Sequence, residues 1–145
     1  MHTRQERALT LFREGFACSQ AVLACYTDAY GLDTATAMKL ACGFGGGVKC
    51  GEVCGAASGA VMVVGLKHGQ KDPADREARK ICSINTTAFI NAFKERCGGL
   101  TCRELLGCDI TTQEGLQHAR DAKLFSTICV DFVATTIAIL EEQGY

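Results

Sequence analysis

Apolar residues recur at spacings of three and four along most of the chain, and the alternating Val, Ile and Thr runs that mark strands are missing. The pattern predicts an all-α fold. A first helix is expected from about Thr3 to Gly15, with Leu9, Phe12 and Phe16 on one apolar stripe. A second starts near Ser19 and carries Val22, Cys25 and Ala29 on a face shared with Cys18, until the break at Tyr30-Gly31. Asp33 and Thr34 cap a third that includes Met38 and Leu40.

Between Cys42 and Gly55 the period is lost. The run Cys-Gly-Phe-Gly-Gly-Gly-Val-Lys-Cys-Gly-Glu-Val-Cys-Gly holds too many glycines for regular helix and reads as a loop with unusual backbone angles. Ala56 to Leu66 is then small and apolar nearly all round, with Gly55, Gly59 and Ala60 allowing a neighbour to come close, so it is expected to be the central buried helix. Gly65 and Gly69 weaken its end. Asp72, Pro73 and Asp75 open a further helix whose stripe is expected at Ile81, Ile84, Ala88 and Ala92, widened by Phe89 and Phe93. Arg96 to Gly107 reads as a turn and a short helical piece bearing Cys102, with Cys108 just past its glycine. Gln113 to Ala122 is an exposed connector or helix. A last helix from about Phe125 to Glu142 turns Cys129, Phe132, Val133, Thr136 and Leu140 toward the core. The expected architecture is a compact bundle of about five to seven helices with a glycine-rich loop before the central buried helix. No repeat, linker or low-complexity tract divides residues 1–145, which read as one cysteine-rich domain.

Composition narrows the possible functions. With 145 residues, 48% hydrophobic and 21% charged, the chain can bury a core. A net charge of -1 supplies no basic field for nucleic acid or an anionic membrane surface. The longest nearly uncharged apolar run, Cys54 to Leu66, is well short of the roughly 20 residues a membrane span needs. The polar N-terminus lacks the apolar stretch of a signal peptide, so a cytoplasmic protein is expected.

The ten cysteines set the chemical question. In a reducing cytosol, clustered cysteine points to metal binding or redox chemistry rather than structural cross-links, although about half are expected only to pack. Cys54 is the leading candidate redox thiol, because it stands where the glycine loop feeds the apolar helix. Free N–H groups at a helix start lower a thiol pKa, and neighbouring Lys49 adds a little. Cys50, four residues earlier, could share a metal with it or be an exposed loop residue. The loop could cradle an anion through its N–H groups. No Gly-Lys-Ser/Thr follows and no strand precedes it, which excludes a nucleotide P-loop but leaves an anionic iron-sulfur cluster as a fit. No C-x-x-C occurs, which removes the usual signatures of thioredoxin-type dithiols, zinc ribbons and covalent haem. His2, His68 and His118 show no paired metal spacing, a Cys-His hydrolase has no obvious base, and acidic pairs such as Glu141-Glu142 read as solvated helix ends.

Taken in order, Gly15-Phe-Ala-Cys18-Ser-Gln-Ala-Val-Leu23, Gly43-Phe-Gly-Gly-Gly47, Cys54-Gly-Ala-Ala-Ser-Gly59, Cys102-Arg-Glu-Leu-Leu-Gly-Cys-Asp109 and the Cys129 helix form a distinctive set. The chain resembles the C-GCAxxG-C-C family of redox proteins, small cysteine-rich proteins widespread in anaerobic bacteria and archaea. It is also similar to the iron-sulfur portion of split-Soret cytochromes without their haem part. The resemblance implies four signature cysteines, Cys18, Cys54, Cys102 and Cys129, in an all-helical domain; Cys25, Cys42, Cys50, Cys82, Cys97 and Cys108 lie outside that minimum. Four thiolates satisfy one 2Fe-2S or 4Fe-4S cluster. The expectation is therefore a cytoplasmic electron-transfer protein with Cys54 as a ligand and the glycine loop behind it. It would work with an unidentified redox partner and could pair as a homodimer through the Gly55 to Gly65 face. Two alternatives stand beside it: a metal-free thiol-disulfide protein attacking through Cys54, and a fold stabilised by zinc or another metal.

Overall fold

The computed structural model describes residues 2–145, whose regular structure is entirely helical, with no strand among them. Nine α-helices run in chain order: α1 Arg4–Arg13, α2 Cys18–Ala24, α3 Thr27–Tyr30, α4 Thr34–Ala41, α5 Gly55–His68, α6 Arg76–Cys97, α7 Cys102–Leu106, α8 Gln113–Asp121 and α9 Ile128–Glu142. The count exceeds the expected five to seven for two local reasons. The second predicted helix breaks at Cys25–Tyr26 into α2 and α3, and the polar stretch after Thr112 is a true helix whose first turn is capped by the Thr112 hydroxyl. None of the described helices is long and apolar enough to cross a membrane.

Side-chain caps set several starts. Thr3 accepts from the Glu6 N–H at 3.1 Å while Glu6 accepts from the Thr3 N–H at 2.8 Å, a reciprocal pair that begins α1. Thr101 and Glu104 repeat the device at α7, and Asp33 and Asp75 cap α4 and α6. Around α5, central as expected, pack α2, α6 and α9, while α1 lies against α2 and α9; α2, buried along nearly its whole length, is more enclosed still. Val22, Leu23 and Tyr26 from α2 and its C-terminal turn meet Val63 and Val64 of α5, Phe89 and Phe93 of α6, and Val133, Ile137 and Leu140 of α9 in one core. The approach of α2 to α5 is close enough to demand glycine: a Cβ on Gly59 would stand 2.8 Å from the Ser19 carbonyl oxygen.

Two expected apolar stripes are not made as read, and Leu40 also faces outward. Ile84 is 58% exposed and Ile81 and Ala88 are also at the surface, because at about 100° per residue Ile84 lies nearly opposite Phe89 and Phe93. The rotation that buries two aromatic rings turns the Ile81–Ile84–Ala88 stripe outward, so the phenylalanines replace that stripe rather than widen it. Leu40 is 60% exposed, since α4 packs through Ala37 and Ala41. Phe16 lies past the end of α1 and is exposed, while the buried residue of that helix is Ala8.

Candidate functional site

The four cysteines set apart by sequence all line one cavity of about 150 Å³. Each stands at or beside a helix start: Cys18 is the first residue of α2, Cys54 the N-cap of α5, Cys102 the first residue of α7 and Cys129 the second of α9. For Cys129 this corrects the expected helix, which begins at Ile128 rather than near Phe125. Residues before it make turns, with the Thr127 N–H donating to the Leu124 carbonyl. Helix starts carry N–H groups without intrahelical partners, and at Cys18 and Cys54 such backbone donors act on the sulfur.

The segments carrying Cys54 and Cys102 are fastened to each other. Val53 and Thr101 form an isolated antiparallel bridge, in which the Cys54 N–H donates to the Leu100 carbonyl and the Cys102 N–H to the Glu52 carbonyl, both at 2.8 Å. Beside the bridge, the Arg103 guanidinium donates to Glu52 Oε1 at 2.9 Å and to the Cys50 carbonyl at 2.6 Å. It also lies 4.0 Å from Asp109 Oδ2, so it joins the end of the glycine loop to the turn after α7.

The loop itself winds through a 3-10 turn, Cys42–Phe44, and a wide turn, Gly47–Gly51. Gly46 and Gly47 have left-handed backbone, and so do Val48 and Lys49, with φ of 57° and 58°. This course brings the Gly46 N–H onto Cys18, which also receives the Ser19 N–H. Gly55 leaves the sulfur its room: a Cβ there would fall onto Cys18 Sγ.

Cys18 and Cys102 both lie near enough to Cys54 to shift its thiol, and Cys54 in turn shifts Cys18. Cys54 and then burial push the Cys18 thiol well above the ordinary range. Cys102, followed by burial, pushes Cys54 up to about 12, although Cys18 and the Ala56 N–H pull the other way. Burial pushes Cys129 up to about 12, helped by Cys18 and Cys108. The activated Cys54 thiolate expected from its helix start is therefore not what the structure holds. Desolvation and thiol neighbours outweigh the backbone donors, and Cys18, Cys54 and Cys129 are protonated at neutral pH.

The remaining walls are apolar, with Phe12, Leu106, Ile110, Phe125 and Phe132 among them, and Lys49 is the one charged lining residue. Cys50 is not part of the cavity: it is exposed and donates to the Gly47 carbonyl at 3.2 Å. Cys42 is exposed, and Cys25 is buried with its thiol on the Ala21 carbonyl. Cys108 was not expected near the site, yet it is close enough to Cys129 to raise that thiol; the Gly107 turn at the end of α7 carries it there. Ile110 lies in a segment without helical period, so no sequence signal marks it, and Phe125, expected at the start of the last helix, instead lines the cavity from the turns before α9.

Four soft sulfur donors in a dry pocket suit a thiophilic metal centre. Among the described residues, no group of three or more His, Cys, Asp or Glu is placed to hold a single metal ion. Fold and site define a helical protein built around a buried cluster of cysteines. The chain belongs to the C_GCAxxG_C_C family, described as "Putative redox-active protein", whose family profile matches residues 16–143. No curated protein and no solved structure matches it.

Proposed function

We propose that Cys18, Cys54, Cys102 and Cys129 hold an iron-sulfur cluster and that the protein transfers electrons. The observation that carries this reading is the convergence of these four cysteines, spread from position 18 to position 129, on one apolar cavity. When bound, the cluster supplies one-electron oxidation and reduction. The protein's part is to give up the thiol protons, hold the resulting thiolates on separate helix starts, and aim the Ser19, Gly46 and Ala56 N–H groups at sulfur. Phe12, Phe125 and Phe132 keep water from the donors. A cavity of about 150 Å³ is small beside the roughly 300 Å³ and more of organic cofactor pockets, which favours a compact inorganic group. Thiols pushed up to about 12 are poor attacking groups at neutral pH, which disfavours metal-free exchange through Cys54.

The test is anaerobic purification and reconstitution, followed by iron, sulfide and zinc analysis and a visible spectrum. The expected protein is brown, with matching iron and acid-labile sulfide. Serine at Cys18, Cys54, Cys102 or Cys129 should lower the iron content severalfold, while Cys42→Ser leaves it unchanged. A colourless protein with zinc would replace this reading with a structural metal site, and one free of metal after reconstitution would turn attention to thiol exchange.

A further inference from the structure

Lys49 stands apart from the chain's other cations. It is the sole charged residue among those lining the cysteine cavity. Its ammonium lies 3.7 Å from the point where a Cβ on Gly45 would stand. Gly45 in turn borders the Cys18 sulfur: its Cα is 3.3 Å from the corresponding point on Gly55, and that same point falls onto Cys18 Sγ. Glycine at both positions adds no side chain there, and the small Ala17 Cβ borders the Gly45 point at 2.7 Å. The backbone reaches this placement at a cost, because Val48 and Lys49 are consecutive non-glycine residues in the left-handed region. Such strain persists where the surroundings hold it, and here the Arg103 bond to the Cys50 carbonyl anchors the turn on its far side.

Four thiolates around a buried centre carry negative charge into an apolar pocket, which is unfavourable without a counter-charge. We propose that Lys49 is the positioning residue that compensates negative charge inside the cysteine cavity from its mouth. Its field favours the more negative state of whatever the thiols hold, and it draws small anions ahead of neutral molecules of the same shape. For a cluster this means a higher reduction potential. The proposal rests on the iron-sulfur reading for that last consequence only.

The test has two arms, each run on the wild type, Lys49→Gln, Lys49→Arg, Lys49→Gly and, as a remote control, Lys71→Gln. The first uses reduced, metal-free protein. The cavity cysteines are alkylated with iodoacetate or with neutral iodoacetamide, and modification is read by mass mapping. The ratio of the two rates is expected to fall severalfold in Lys49→Gln and Lys49→Gly, and to stay near wild type in Lys49→Arg and the control. Lys49→Gly relaxes the backbone while removing the charge, so its agreement with Lys49→Gln separates charge from strain. The second arm uses reconstituted protein and a midpoint potential. Removing the ammonium should lower the reduced-to-oxidised ratio at fixed potential about tenfold, the equivalent of 59 mV for one electron, and Lys49→Arg should restore it. An unchanged rate ratio in Lys49→Gln overturns the proposal. So does a loaded variant with the wild-type potential. If no iron or sulfide is taken up by any of the proteins, the cluster reading falls and the alkylation ratio alone decides the role of Lys49.

Discussion

Val48 combines a β-branched side chain with a φ of 57°, a pairing that costs roughly 1–2 kcal/mol relative to ordinary backbone. Its side chain is half exposed and fills no part of the core, so nothing at that position repays the strain locally. Replacing it with glycine is therefore expected to stabilise the metal-free protein by about 0.5–1 kcal/mol, the relief being partly offset by the freer unfolded chain. Chemical denaturation of Val48→Gly measures this, and a loss of stability would show that the loop gains something from the valine. The cysteines differ from one another just as sharply. Cys25 bonds to a carbonyl inside its own helix and packs, Cys42 faces solvent, and Cys54 sits near two other thiols. Residue type alone could not separate these roles. The ordered motifs carry the resemblance that implies the four lining the cavity, whereas Lys49 is visible in the sequence only as a neighbour of Cys54, because its place at the cavity mouth depends on left-handed residues that a sequence pattern does not display.

Two glycines of α5 give opposite forecasts. Gly59 faces α2, and alanine there would set its Cβ 2.8 Å from the Ser19 carbonyl oxygen and 3.1 Å from the Ser19 Cα. Backbone cannot swing aside as a side chain can, so Gly59→Ala should cost about 2–3 kcal/mol. Gly65, one turn from the end of the same helix, has open space around its missing Cβ, and Gly65→Ala should stabilise by about 0.5–1 kcal/mol. Thermal melts of the pair check both signs together. The role of α5 was legible because small apolar residues all round a helix leave it nowhere but the centre. The inward face of α6 was misread for the reverse reason. Ile81, Ile84 and Ala88 make a respectable apolar stripe, and the packed structure shows that Phe89 and Phe93, with Ala92 beside them, fill the gap between α5 and α9 instead. At α9 the start was placed too early because Phe125 is apolar; it belongs to the cavity wall, not to a helical stripe.

Across the whole molecule, the buried thiols tie stability to pH. In the reduced, metal-free protein Cys54 and Cys129 hold their protons up to about 12, against an ordinary thiol value of 9.0 that the unfolded chain regains. Between those values the folded state binds more protons than the unfolded one, so stability is fully present below about pH 9 and is lost as pH rises toward about 12. The urea midpoint of metal-free protein should be level from pH 7.5 to 8.5 and fall steadily above it. Serine at both Cys54 and Cys129 should flatten the fall, and an unaltered slope would mean that other groups govern it. The same spread of cysteines also orders events in the life of the chain. Cys18 comes from the second helix and Cys129 from the ninth, so an emerging polypeptide cannot bring the four cysteines together until α9 has been made and docked. A compact cysteine run can capture a metal group while still being synthesised; on the proposed cluster reading, this chain would have to finish first and be filled afterwards. On that reading, whatever supplies the cluster would have to recognise a finished surface, not a nascent peptide.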